Sequence, residues 1–422
     1  MTTENQQKLD SLLGGYRALD LTDEKGMICG RILGDLGVDV IKIERPSGDP
    51  ARKIGPFFHN IPDPEKSLFW FAYNANKRGI TLNIDSKDGQ EIFKRLAENT
   101  DFVIESFAPR HMDNLGVGYQ ALSEINKKLI MTSITPFGQT GPYKDFKGAD
   151  ILGWAMGGAM HLTGDSDMPP LEIGFPQAHL NAGAQAAVGT VIALHYREIS
   201  GEGQHVDVSI QESVAWVLSD ALPFWDVNRS NVKRFGSVRS RPPLYAPRRQ
   251  IWACKDGFVI FILMTGGLAL ESIKALVAWM DEEGMATDIL KETDFAAISW
   301  TTTPPQQLES LQEPIGKFFM MYSVQELCQE TLKRRIMLLP VCTSKDVRES
   351  CQLSARNFWE GVEHPELGAS ITYPGAFAKL SEAPIRIRRR APLIGEHNKD
   401  IYEDELGLSN EEILTLFQAN VI

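Results

Sequence analysis

Between Tyr16 and Gly138 the chain alternates short β-branched runs with amphipathic segments, and this alternation restricts the fold more than any other feature. YRALDL (Tyr16–Leu21) reads as a buried strand. KGMICGRILGDLG reads as a helix stopped by Gly37, and VDVIKIE (Val38–Glu44) as a second strand. GITLNI (Gly79–Ile84), DFVIESF (Asp101–Phe107) and KLIMTSITPFG (Lys128–Gly138) are three more. Between the first two lies SKDGQEIFKRLAEN, a helix with Ile92, Phe93 and Leu96 on one face. Strands separated by helices require crossovers, and right-handed crossovers give a parallel sheet. The expected fold class is α/β, with a Rossmann-like large domain. No GxGxxG follows the first strand, so the dinucleotide fingerprint is absent.

At 422 residues the chain exceeds one ordinary core, so a smaller second domain is expected. QHVDVSIQESVAW (Gln204–Trp216) reads as a strand turning into a helix. About Pro223 to Pro247 the chain is rich in Arg, Pro, Ser and Asn without periodicity, which reads as a linker. RRQIWACKDGFVIFIL reads as a hairpin turning at Lys255-Asp256-Gly257. Helices are expected around Leu270–Met280 and Glu313–Lys333, and PVCTSKDVRES reads as a strand and helix start. RIRRRAPLIGEHN is a cation-rich loop, and Ser409 with Glu412 forms a capping box opening a last helix. The expected domains are residues 1–225, the N-terminal part of the large domain; 226–335, linker and small domain; and 336–422, the return to the large domain.

The net charge of −12 argues against a nucleic-acid binder, although local basic spots could hold phosphates. No run of about 18 apolar residues suggests a membrane span, and the polar start MTTENQQKLD suggests no secretory signal. Five scattered cysteines without CxxC spacing suit reduced thiols, so a cytoplasmic protein is expected. The eight histidines show no metal spacing.

The most informative stretch runs from Gly148 to Leu194. It holds small residues, a Pro169-Pro170 turn, the segment IGFPQAH and an Ala/Gly-rich helix from about Leu180. Small side chains there suit close packing on a neighbouring element. His179 stands at the junction of loop and helix.

This layout resembles the family III CoA-transferases of the CaiB/BaiF type. Other segments carry the likeness in the same order: LDLT (Leu19–Thr22), LGVDVIKIERPSGDPAR (Leu36–Arg52), NANKRGITLNI (Asn74–Ile84), DFVIESFAPRHMDNLGVGYQAL, SITPFGQTGPY (Ser133–Tyr143), SGEGQHVDVSIQES (Ser200–Ser213) and APLIGEHN (Ala391–Asn398). The resemblance implies a Rossmann-like large domain built from both ends of the chain, a small domain, and two chains interlocked like links. It implies CoA or acyl-CoA as substrate, with no covalently bound cofactor. The family's CoA contacts fall on Arg45, on Leu82, Asn83, Ile84 and Asp85, on Ser106, Phe107 and Ala108, and on Lys147, Gly148, Ala149 and Asp150. Two departures touch that side. The A-G-P turn after the first strand is Gly26-Met27-Ile28 here, one residue short, and Ala108 stands where Arg or His is usual.

In the family a carboxylate nucleophile lies nine residues after the second proline, and that count ends here on His179. The implied mechanism needs a carboxylate that attacks the thioester, forms a mixed anhydride and then itself carries CoA. Imidazole can be acylated but cannot become a stable CoA thioester. The family's racemase branch, with its His/Asp pair, is disfavoured too, since Ala149 and His179 stand at those places. A displaced carboxylate at Asp165, Asp167 or Glu172 is one alternative. The leading expectation is a catalytically silent subunit paired with a homologous, Asp-bearing family III chain, without nucleic acid or membrane. The alternatives are a homodimeric acyl-CoA isomerase, lyase or hydrolase using His179 as acid/base, and a CoA-binding regulatory protein. The glycines at Thr265-Gly266-Gly267 are a candidate flexible loop that could reach a partner's site.

Overall fold

A computed structural model describes residues 11–239, 248–263, 267–298 and 302–422. It resolves into two compact units. One holds residues up to Gly157, Gly174–Val217 and Gln352–Ile422; the other holds Gly158–Ile173 and Leu218–Cys351. The readings of residues 1–10 and of Thr265-Gly266 lie outside the described residues. Among the described residues no helix is long and apolar enough to cross a membrane.

The larger unit is built on β1 (Arg17–Leu21), β2 (Asp39–Glu44), β3 (Lys77–Thr81), β4 (Phe102–Glu105), β5 (Ile130–Thr135) and β6 (His205–Ser209). They form one sheet in the order β3-β2-β1-β4-β5-β6, every pair parallel. The order reverses between β1 and β4, so the chain leaves those two strands in opposite directions at their carboxyl ends. A crevice opens there in such sheets. The connecting helices are α1 (Met27–Asp35), α2 (Leu68–Asn74), α3 (Lys87–Ala97) and α4 (Tyr119–Ile125). α3 starts at Ser86, whose hydroxyl accepts the Gly89 N–H, and it buries Ile92, Phe93 and Leu96 as its periodicity requires.

The strand expected over Gly79–Ile84 ends at Thr81. Thr81 pairs with Glu44, the last residue of β2. Beyond it the Leu82 N–H bonds to the Glu44 carbonyl (2.6 Å) and the Asn83 N–H to the Val421 carbonyl (2.7 Å). The chain thereby turns off the sheet and leaves residues 82–85 free to line the crevice.

α5 (Asp150–Met156) and α6 (Gln177–Ser200) pack beside the sheet, followed after β6 by α7 (Ile210–Val217). α6 begins at Gln177, ahead of the expected Leu180, so His179 sits inside its first turn. Its small residues permit a close approach to α1: a Cβ at Gly183 would meet Ile28 Cγ2 at 2.4 Å. The opposite face of α6 leaves Val188, Ile192 and Ile199 60%, 64% and 74% exposed.

In the smaller unit α8 (Ala221–Asn228) occupies part of the expected linker from Pro223, closed by Arg229 in the left-handed region. Residues 240–247 of that linker lie outside the described residues. The expected hairpin is present as β7 (Ile251–Ala253) and β8 (Phe258–Phe261). α9 (Gly267–Glu282) follows. The single helix expected over Glu313–Lys333 is two, α10 (Pro305–Phe319) and α11 (Val324–Arg334), because Ser323 and Glu326 form a capping box that starts a new one. β9 (Leu338–Pro340) adds to β8. Trp252, Phe261, Trp279, Phe318 and Phe319 fill this core.

The chain then returns to the larger unit as the hairpin β10 (Trp359–His364) and β11 (Ala369–Pro374), the cation-rich segment, and α12 (Asn410–Gln418). Ser409 and Glu412 form the expected capping box. Ile401, Tyr402, Leu408, Val421 and Ile422 enter the same core as strands β1 to β5.

Candidate functional site

A cavity of about 310 Å³ lies at the carboxyl ends of β1 to β4, across the point where the strand order reverses. Arg45, Leu82, Asn83, Ile84, Asp85, Ser106 and Phe107 all line it. The sheet therefore gathers residues far apart in sequence that were singled out by resemblance. Ala108 lines a neighbouring, smaller cavity instead. Lys147, Gly148, Ala149 and Asp150 line neither. Gly148 packs on Pro136, where a Cβ would come within 2.4 Å, and Asp150 stands beside His179.

The charge of the cavity is unusual. Among the described residues its lining holds one guanidinium, that of Arg45, two-thirds exposed and 3.4 Å from Asp85, and His111, whose Nε2 lies 3.7 Å from the same carboxylate. Among the described residues Asp23, Glu44, Asp49 and Asp85 belong to its lining, but the Glu44 side chain is fully buried and that of Asp49 nearly so. Glu44 is held from below by the Arg52 guanidinium, which reaches both its oxygens at 2.6 and 2.7 Å and stacks 3.8 Å over Trp70. Asp49 pairs with the buried Lys42 at 3.2 Å. Asp23 pairs with Lys25 and accepts the Ser106 hydroxyl at 2.8 Å. Asp23, Glu44 and Asp49 were missed by the sequence reading. The signal was available: Asp23 lies two residues past the end of β1, Glu44 ends β2 and Asp49 lies five residues past it.

His179 is 5% exposed in the first turn of α6. A helix leaves its first N–H groups without partners inside the helix, and Pro176 at the N-cap offers no side-chain acceptor. Asp150, first residue of α5, supplies one from outside: its Oδ1 accepts the His179 N–H at 2.8 Å. The same oxygen is 4.0 Å from Nδ1, beyond hydrogen-bond reach. Among the described residues neither ring nitrogen has a hydrogen-bond partner. Burial pushes the imidazole pKa below its ordinary value; Asp150 opposes the shift and Lys25 adds to it. The ring is therefore a neutral imidazole at pH 7, and the carboxylate beside it is engaged by backbone. Asp165, Asp167 and Glu172 fall in the other compact unit.

The neighbouring cavity, about 220 Å³, is lined by Glu105, Ser133 and His205 among others. Glu105 ends β4 at 3% exposure. One of its oxygens accepts the Phe107 N–H at 2.6 Å. The Ser133 hydroxyl lies 2.8 Å from His205 Nε2, and the His205 ring stacks on Tyr119. Burial raises the Glu105 carboxyl to about 7, against the pull of its bonds to Ser133 and Phe107. Below about pH 4.5 both folded and unfolded chains are protonated there. As pH climbs to about 7 only the unfolded chain ionises, so stability is lost across that window and stays lost above it. Glu105→Gln removes the ionisation and keeps the shape. Its stability relative to the parent is expected to rise by about 2 kcal/mol between pH 5 and pH 8. Urea unfolding at both pH values measures this, and a difference independent of pH would refute it.

Known proteins match both the sequence and this architecture. The model of the family described as CoA-transferase family III matches residues 13–398. Succinyl-CoA:(R)-benzylsuccinate CoA-transferase subunit BbsE of Thauera aromatica is 34% identical over 411 residues, covering 96% of this chain and 97% of that one. Succinyl-CoA–D-citramalate CoA-transferase of Chloroflexus aurantiacus is 32% identical over 400 residues, covering 94% of each. The crystal structure of a CaiB/BaiF family protein from Brucella suis superposes with a TM-score of 0.80 at 27% identity, over 94% of this chain and 99% of that one. The chain belongs to CoA-transferase family III.

Proposed function

We propose that this chain is the catalytically silent subunit of a heteromeric family III CoA-transferase whose nucleophilic Asp sits on a homologous, interlocked partner. The observation that carries this reading is His179. It stands where the family resemblance puts the nucleophile, as a buried imidazole whose pKa burial lowers, and the carboxylate beside it, that of Asp150, is bound to backbone. The cavity at the expected CoA positions supports it too. Arg45 there is engaged by Asp85, which supports acyl-CoA being held by the partner. The exposed apolar stripe of α6 is the kind of surface a partner covers. The five cysteines are free thiols, which supports a cytoplasmic complex.

The resemblance to BbsE, a subunit by name, supports succinyl-CoA:(R)-benzylsuccinate CoA transfer, as in anaerobic toluene degradation, as the reaction of the complex. The test is succinyl-CoA transfer to benzylsuccinate and other dicarboxylates, by this chain alone and with an Asp-bearing homologue. Activity is expected only with the homologue, and His179→Ala should change it by less than about twofold. Inactivity of the pair towards benzylsuccinate but not towards another acid would move the substrate and leave the silent role standing. The unpartnered ring nitrogens favour a second reading, in which His179 is the acid/base of a homodimeric isomerase, lyase or hydrolase. Activity of the chain alone, abolished in His179→Ala, would select it.

A further inference from the structure

A cavity of about 790 Å³ lies at the other edge of the sheet, where β1, β2 and β3 begin. Five guanidinium groups line it: Arg17 from β1, Arg78 from β3, and Arg386, Arg388 and Arg389 from the cation-rich return segment. Among the described residues two carboxylates share the lining, those of Asp39 and Glu405, and Asp35, Glu396 and Asp400 act on Arg388 and Arg389 from outside it. Asp39 and Glu405 are both taken by Arg17 and Arg78, at 2.6 to 2.8 Å. The neighbouring Arg390 points elsewhere and is paired with Glu366 and Glu396. Arg386 and Arg389 have no carboxylate at ion-pair distance among the described residues. In a chain of net charge −12, an excess of three cations in one hollow is a local exception.

The arrangement is held in place. Asn76, in the left-handed region at φ 64°, bonds the segment four times. Its N–H donates to the Arg389 carbonyl (3.0 Å) and its Nδ2 to the Arg386 carbonyl (2.9 Å). Its Oδ1 accepts the N–H groups of Arg388 (2.6 Å) and Arg389 (3.2 Å). Asn76 Nδ2 also donates to the buried Asp35 at 2.6 Å. The backbone that carries three of the arginines is therefore fixed before any ligand arrives, which lowers the entropy lost on binding. The cations are also unfavourable to one another. Burial pushes the Arg388 pKa down; Asp35 opposes the shift, and Arg386 and Arg389 add to it. Burial and then Arg78 push the Arg389 pKa down, against Asp39, Glu396 and Asp400. An anion placed among them relieves that repulsion.

We propose that this cavity binds a small polyanion of clustered phosphate groups, at a site separate from the crevice on the carboxyl edge. The planar fork of arginine matches phosphate oxygens two at a time. Among the described residues the lining is guanidinium-rich and holds no aromatic side chain, so recognition rests on the phosphates. The hollow lies within the range of ordinary ligand sites in size. Binding ties the return segment to the sheet edge and so stabilises the larger unit by mass action.

Inorganic tripolyphosphate is the probe, titrated into the full chain with thermal unfolding and calorimetry as readouts. Millimolar tripolyphosphate is expected to raise Tm by about 3 °C or more above sodium chloride of equal ionic strength. The Arg386→Gln/Arg389→Gln variant changes exposed side chains only and is expected to lose that shift, its circular dichroism unchanged. Glu405→Gln removes an opposing charge and is expected to tighten binding several-fold. Citrate at matched ionic strength should give a smaller shift than tripolyphosphate. The proposal falls if chloride or citrate reproduces the shift, or if the double glutamine variant responds like the parent. It falls as well if the response vanishes on forming the complex with an Asp-bearing homologue, since the hollow would then be a subunit contact.

Discussion

Asp20→Ala is expected to lower the stability of the larger unit by about 3–5 kcal/mol, more than any surface change in the molecule. Asp20 and Lys77 are fully buried and joined at 2.7 Å beneath α1. The ammonium group spends its other two donors on the Met27 carbonyl (2.8 Å) and Asn74 Oδ1 (2.9 Å). The carboxylate's second oxygen accepts both the N–H and the hydroxyl of Thr22. Burial works to raise the Asp20 pKa, but Lys77 and Lys42 outweigh it and hold the group below the usual carboxylate range. Removing the acid strands a cation that burial already pushes towards the neutral form. Stability from Asp20 is present above pH 4 and is lost as pH falls through its depressed value. The double variant Asp20→Ala/Lys77→Met should recover part of the loss, since no charge is then left unpaired. Urea unfolding followed by circular dichroism reads both. A loss below about 1 kcal/mol for Asp20→Ala would mean that water reaches the ammonium group.

The second large effect concerns association. Ile192→Glu/Ile199→Glu is expected to raise the Kd for an Asp-bearing homologue by about a hundredfold or more. Each isoleucine contributes roughly 1.5–3 kcal/mol if buried by a partner, and a charge placed there adds a desolvation penalty. The fold of the single chain should not change, because these side chains are more than half exposed in it and the buried face of α6 is Ala182, Ala186, Ala187 and Ala193. Analytical ultracentrifugation of the mixture measures the loss. Unchanged affinity would remove α6 from the interface.

The parallel sheet was readable because β-branched runs and amphipathic helices give unlike periodicities, and only a crossover topology fits their alternation. Strand ends were less readable. Ile80–Leu82 is β-forming throughout, yet the strand ends at Thr81 because its partner β2 stops at Glu44, and no local propensity records where a neighbour stops. The second helix start at Ser323 was legible as Ser-x-x-Glu and was passed over, because the apolar pattern runs on through it. At the site, resemblance singled out residues that the sheet gathers into one cavity, whereas Lys147 and Gly148 stand away from it. The nearness of Asp23 to Glu44 and Asp49 was not legible, because it depends on β1 and β2 ending side by side, which only the closed sheet brings about. The arginine hollow was half legible: RIRRR announced cations, but their meeting with Arg17 and Arg78 is tertiary.

The larger unit takes core side chains from Ile401, Tyr402, Val421 and Ile422, although its last sheet strand is complete at Ser209. A ribosome makes the chain in the other order. All of residues 218–351 must emerge before the segment that seals the sheet exists. During that interval the nascent sheet has its strands but not its cover, and in the interlocked pair proposed above this is when a nascent partner would enter. Translating two such subunits from adjacent messages would favour the mixed pair over either chain with itself. The timing of synthesis, as much as affinity, would then set the composition of the complex.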